Sequence, residues 1–232
     1  MTVITSPQNE KLKLIRRLQR RRARDRDGLF VTEGEDLLAA AGTAGAEPVE
    51  LLTAAGEGLG GTEVEPELLD RFSALGSGTR AIGVWEQAWA AEAVAPCIYL
   101  HGVSDPGNVG TLLRTADAFG AAVSLSAECA DPLGPRALRA SAGAIFRVPV
   151  VGWDDLPERR VALVAHDAIP LAEVELEPPL AFLLGSEREG LPNHLATQGH
   201  MATIPFPGGA ESLNVAAAGA IALYELSRRT RS

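Results

Sequence analysis

A mostly parallel α/β sheet with helices on both faces is the fold class this sequence predicts, preceded by a smaller α/β unit. Three observations carry that expectation. From Cys97 onward, short apolar runs of strand type alternate with helical stretches, the pattern of parallel strands joined by crossovers. Residues 1–90 alternate in the same way on a smaller scale. Finally, three polar, glycine-bearing loops, DPGNVG, GSEREGLP and PFPGGAESLN, each follow a strand-type run. Open α/β sheets bind ligands outside the carboxyl ends of their strands, so these loops form the candidate site.

The elements follow in order. A basic helix opens the chain, and residues 29–34 (LFVTEG) read as a strand stopped by glycine. Residues 35–45 (EDLLAAAGTAG) read as a helix ended by glycine, and residues 48–54 (PVELLTA) as a second strand. Helical spacing returns in residues 65–75 (EPELLDRFSAL), with Glu65 or Pro66 near the start, and TRAIGVW (residues 79–85) is a further strand. Residues 86–96 (EQAWAAEAVAP) read as a linker, which divides the chain into domains at 1–90 and 97–232. Beyond it, CIYLHGV, AAVSLS, FRVPVVG, RVALVAH, LAFLLG and MATIPF read as strands. TLLRTADAFG, PRALRASAGAI and the run from Val215 read as helices, the first ending at Gly120.

Composition narrows the function classes. The chain is 46% apolar and 22% charged, an ordinary globular balance. The N-terminus has no apolar core of the export type, and no segment approaches the roughly 20 apolar residues that cross a bilayer. Cys97 and Cys129 stand in unrelated contexts, and His101, His166, His194 and His200 lack metal-ligand spacing. Reduced thiols, a cytoplasmic location and no metal centre are therefore expected. The sequence has no G-x-x-x-x-G-K-[ST], no early G-x-G-x-x-G and no G-x-S-x-G, which disfavours a P-loop, a dinucleotide fold and a serine hydrolase.

The net charge of −9 is unevenly spread. Residues 1–30 hold nine cations, Lys11, Lys13, Arg16, Arg17, Arg20, Arg21, Arg22, Arg24 and Arg26, against three carboxylates. That block carries +6 and leaves −15 on the rest of the chain. Cations so crowded repel one another unless an anion joins them, so the block points to phosphate, with a solvated helix face as the plain alternative.

Read one at a time, the loops allow structural explanations too. Asn108 could cap a helix starting near Val109, Arg114 could pair with Asp117, Glu187 could be a solvated loop acid, and Asn214 could be a helix cap. Taken together, the loops resemble the three motifs of the SpoU (TrmH-like) branch of the SPOUT RNA methyltransferases. DPGNVGTLLRTADAFG is similar to the first, with Asn108, Gly110 and Arg114 in place. LLGSEREGL is similar to the second, through Gly185, Ser186, Glu187, Gly190 and Leu191, and IPFPGGAESLNVAAAGAIALYE to the third. The stretch CADPLGPRALRASAGAIFRVPV resembles the connecting segment of members acting on ribosomal RNA, and the first domain resembles their substrate-binding domain. Arg188 stands where the family often has Gly, Phe206 where Met is frequent and Gly134 where Asn is expected.

The resemblance implies a deep trefoil knot in the C-terminal third, a homodimer formed through the C-terminal domain, and S-adenosylmethionine as cofactor. Leu184, Gly185, Ser186, Ile204, Phe206 and Leu213 would hold that cofactor, while Asn108, Arg114, Glu187, Ser212 and Asn214 would form the reaction centre. Arg114, contributed by the partner subunit, would act on a ribose 2′-hydroxyl, either as base or as an electrostatic clamp. Lys11, Lys13, Arg16, Arg20, Arg21, Arg22 and Arg24 would grip RNA. Ribosomal RNA is the expected substrate; the alternatives are transfer RNA, or a factor that binds RNA without methylating it.

Overall fold

The computed structural model describes residues 3–76, 78–90, 96–206, 208 and 211–230. Residues 91–95 of the expected linker, and Pro207, Gly209 and Ala210 of the third loop, lie outside them. The chain divides into two compact units, one formed by Met1–Ala88 with Asp131–Phe146, the other by Trp89–Ala130 with Arg147–Ser232. These units differ from the division at 1–90 and 97–232 in two places: Trp89 and Ala90 fall in the second unit, and Asp131–Phe146 groups with the first although its neighbours in the chain lie in the second.

In the first unit the basic stretch is two helices, α1 (Glu10–Leu18) and α2 (Arg21–Asp27). Asn9 caps α1 by accepting from the Lys11 amide, and Leu12, Ile15 and Leu18 turn one fully buried face inward. α2 ends at Gly28, whose φ of 64° is the left-handed stop that glycine supplies without strain. There follow β1 (Leu29–Glu33), α3 (Glu35–Thr43), β2 (Glu50–Ala54), β3 (Thr62–Val64), α4 (Pro66–Asp70) and β4 (Ala81–Glu86). The sheet order is β1-β4-β2-β3, with β4 antiparallel to both neighbours. Leu12, Ile15 and Leu18 pack with Leu52, Val64, Leu69 and Phe72. On a second cluster, Leu133 and Leu138 from the inserted segment join Phe30, Leu37, Ala41 and Trp85, and Phe146 meets Trp85 edge-on at 4.9 Å. Large apolar side chains thus explain why residues 131–146 belong to this unit.

The second unit contains β5 (Cys97–Leu100), α5 (Pro106–Phe119) and β6 (Ala122–Leu125). The inserted helix Pro135–Ser141 is α6 in chain order; then come β7 (Val150–Val151), β8 (Arg160–Leu163), β9 (Ile169–Pro170), β10 (Ala181–Leu184), α7 (Asn193–Ala196), β11 (His200–Thr203) and α8 (Val215–Thr230). The seven strands run β7-β6-β5-β10-β8-β11-β9, every described pair parallel, as the unbroken apolar runs of β5 and β10 require. β10 comes late in the chain but sits between β5 and β8. That placement sets the loop after β10 beside the loop after β5. The expected strand FRVPVVG is shorter than read: residues 144–146 form a 3₁₀ turn and Pro149, which has no N–H to donate, precedes the two strand residues. α8 packs on α5, and at the crossing an added Cβ on Gly219 would fall 2.5 Å from Leu112 Cδ2.

Candidate active site

Three chain segments meet at the carboxyl ends of β5, β10 and β11. The tightest is the turn after β10. Ser186 and Gly190 bond to each other through both amides, at 3.2 and 3.0 Å, and Ser186 Oγ accepts from the Glu189 amide at 3.1 Å. Gly190 holds a φ of 67°. Gly185 lies so close to this turn that an ideal Cβ would fall 2.0 Å from Gly190 C and 2.2 Å from Leu191 N. Only glycine fits there.

The turn presents Glu187 to the first loop. α5 is capped by Asp105, whose Oδ1 accepts from the Asn108 amide, so Asn108 lies inside the first turn and is not the cap. Its side chain is thereby available for other partners. Asn108 Nδ2 donates to Glu187 Oε1 at 2.7 Å, and Asn108 Oδ1 accepts from Asn214 Nδ2 at 3.1 Å. Asn214 Oδ1 in turn accepts from the amides of Ala216 and Ala217. Asn214 is therefore both the cap of α8 and the third member of a network joining all three loops.

Beside this network lies a cavity of about 740 Å³, within the range of small-molecule sites. Leu184, Gly185, Ser186, Ile204, Phe206 and Leu213 all line it, as do Glu187 and Ser212. Asn108 and Asn214 do not line it; Asn108 is tied to the lining residue Glu187, and Asn214 to Asn108. Arg114 is exposed on α5 and does not line the cavity; its side chain has no hydrogen-bond or ion-pair partner among the described residues. The Arg114–Asp117 pair does not form, because Asp117 is held by Arg147 Nη2 at 2.6 Å.

Sequence reasoning missed part of the lining. Leu163 to His166, at the end of β8, and Arg188, Glu189 and Glu211 also face the cavity. The end of RVALVAH carried the same signal as the other strand ends, since β8 neighbours β10. Cys97 is buried in the sheet, and burial pushes its thiol up to about 12, so it is no nucleophile. No group of three His, Cys, Asp or Glu able to hold a metal ion occurs among the described residues.

The basic residues separate into distinct environments. Arg24, expected on RNA, is 4% exposed; it donates to the Leu18 carbonyl at 2.6 Å and pairs with Asp131. A guanidinium buried in this way is structural, and the expectation is corrected on that ground. Lys11 is held by Glu50 and Thr62, and Lys13 by Glu10. Arg16 lies over the Phe72 ring at 4.5 Å. Arg20, Arg21 and Arg22 are exposed, and their side chains have no partner among the described residues.

Residues 95–224 match the SpoU rRNA methylase family, and residues 9–91 match the MRM3-like substrate-binding domain. This chain belongs to the SpoU rRNA methylase family. A tRNA/rRNA methyltransferase of Synechocystis, itself uncharacterised, is 30% identical, with 97% of this chain and 93% of the relative covered. The 23S rRNA (guanosine-2′-O-)-methyltransferase RlmB of Bordetella pertussis is 33% identical over 73% of this chain and 79% of its own. An AdoMet-bound rRNA methyltransferase from Sinorhizobium meliloti superposes with a TM-score of 0.86 at 29% identity, covering 100% and 99% of the two chains. In this SpoU member the cavity is lined by the second and third motifs and by the end of β8, and the bond from Asn108 to Glu187 ties it to the first motif.

Proposed function

We propose that the protein transfers a methyl group from S-adenosylmethionine to a ribose 2′-hydroxyl of ribosomal RNA. The observation that carries this reading is the Glu187–Asn108–Asn214 network standing at the wall of a cavity of cofactor size. The cavity fits the group. Leu184, Ile204, Leu213 and Val215 offer apolar walls for an adenine, and Glu187, Glu189 and Glu211 offer negative charge to a sulfonium and an ammonium. When bound, the cofactor supplies an electrophilic methyl on positively charged sulfur.

The residues then divide the work. The Ser186–Gly190 turn, braced against Gly185, fixes Glu187, while Asn108, itself held by Asn214, orients that carboxylate. Such positioning of the reactants provides much of the acceleration in a displacement of this kind. The ribose hydroxyl must lose its proton as it attacks. Arg114 is the residue assigned to it, reaching the partner's site across a two-fold interface. A guanidinium is a reluctant base, so stabilising the developing oxyanion and the neighbouring phosphate is the role that suits its chemistry. Ser212 completes the polar floor.

The interface proposed is the outer face of α8, where Ile221 is 39% and Tyr224 59% exposed. Exposed Arg20, Arg21 and Arg22 supply the phosphate contacts of the substrate-binding domain. A trefoil knot agrees with the late entry of β10 into the middle of the sheet. A cytoplasmic location is part of the same reading; no described helix is long and apolar enough to cross a membrane. The test incubates the protein with methyl-labelled S-adenosylmethionine and separated ribosomal and transfer RNA, then identifies the labelled nucleoside by mass. Label in ribosomal RNA that is lost with Arg114→Ala supports the reading. RNA binding without transfer overturns it in favour of a non-catalytic binding factor.

A further inference from the structure

We propose that Arg188 recognises a backbone phosphate of the RNA at the mouth of the cavity, beside the ribose that reacts. The inference rests on the methyltransferase reading above and assigns that site a specificity residue. Three carboxylates, Glu187, Glu189 and Glu211, line the cavity, and among the described lining residues Arg188 is the one Arg or Lys. A polyanion approaching such a mouth meets repulsion unless a cation offsets it.

The geometry suits this role. Arg188 occupies the tip of the turn closed by the two Ser186–Gly190 bonds, so its backbone is braced from both sides. Its side chain is exposed, and it makes no ion pair among the described residues although Glu187 and Glu189 flank it. Glu187 is unavailable to it in part because Asn108 already holds Oε1. A free guanidinium on a rigid tip is preorganised for a bidentate partner, and phosphate matches its fork. The cofactor's own carboxylate is the rival anion. Exposure of Arg188 to solvent favours the ligand that arrives from outside.

Arg188→Ala and Arg188→Lys test the assignment in the full-length protein. Protein-free ribosomal RNA is the probe, with equilibrium RNA binding measured across salt, cofactor affinity by calorimetry, and transfer kinetics. The expected result for Arg188→Ala is an RNA KM raised about tenfold, with the salt slope of binding lowered by about one. Cofactor affinity should stay within twofold of the parent. Arg188→Lys should recover the salt slope but only part of the KM, because it restores charge without the fork. Weakened cofactor binding with unchanged RNA binding would overturn the proposal and assign Arg188 to the cofactor carboxylate. No change in either affinity would overturn it as well. If the parent transfers no methyl group, the functional reading fails, while the RNA-binding salt slope still decides the phosphate contact independently.

Discussion

Gly185→Ala probes the site where fold and function are most tightly joined. The new Cβ would lie 2.0, 2.2 and 2.4 Å from Gly190 C, Leu191 N and Gly190 O. All three are backbone atoms, so no rotamer change relieves the clash. Restoring an ordinary contact of about 3.5 Å moves the turn outward by roughly 1 Å or more. Overpacking of this kind costs about 1–3 kcal/mol, which in a chain this long lowers Tm by about 2–12 °C. The turn carries Glu187, whose 2.7 Å bond to Asn108 does not survive such a shift. A hydrogen bond to a charged group contributes about 1.5–3 kcal/mol, so cofactor affinity should fall at least about tenfold. Thermal unfolding with and without S-adenosylmethionine, together with calorimetric titration, reads both effects. A variant that binds cofactor within twofold of the parent at an unchanged Tm would show that the turn has room to spare and does not fix Glu187.

Other perturbations act away from the cavity. Arg24→Ala leaves Asp131 without its cation and the Leu18 carbonyl without its donor; removing one partner of a buried pair costs about 3–5 kcal/mol, read as a lower urea midpoint. A loss below about 1 kcal/mol would return Arg24 to the surface cations. Glu225 is held down to about 2, first by its hydrogen bond from Arg228 and also by that from Arg229, both at the end of α8. Its folded value lies below its usual one, so its contribution is present above pH of about 4.5 and is lost as pH falls towards about 2. The pair is only partly buried and Arg228 stands in solvent, so water screens it, and Glu225→Gln should flatten the urea stability difference between pH 5 and pH 3 by only about 1 kcal/mol. Equal slopes in parent and variant would contradict this. Tyr224→Asp should turn a dimer into a monomer by sedimentation, and remove methyl transfer while cofactor affinity stays. A fully active monomer would exclude the shared site.

The sequence and the structure agree where local chemistry dominates. The apolar runs at residues 97–100 and 181–184 form the buried parallel strands expected of them, and the six residues read from the motifs as cofactor contacts line the cavity. Disagreements arise where tertiary choice decides. The two-residue strands β7 and β9 are too short to show periodicity. Nothing local distinguishes Arg24 from Arg20, Arg21 or Arg22; its burial depends on Asp131, 107 residues away. The cap that Asn108 could have been, as the plain alternative to a reaction-centre role, is supplied by Asp105 one turn earlier, which leaves the Asn108 side chain to bond Glu187. Placement of Asp131–Phe146 with the first unit follows from the packing of Leu133, Leu138 and Phe146, which no motif announces.

The chemistry of the product offers the most direct test. A 2′-O-methyl group blocks alkaline cleavage of the adjoining phosphodiester, so RNA treated with labelled cofactor and then with alkali reports where the methyl went. Label should remain in an alkali-stable dinucleotide from ribosomal RNA, and Arg114→Ala should abolish it. Label recovered instead in alkali-labile mononucleotides would place the methyl on a base and contradict ribose 2′-hydroxyl transfer.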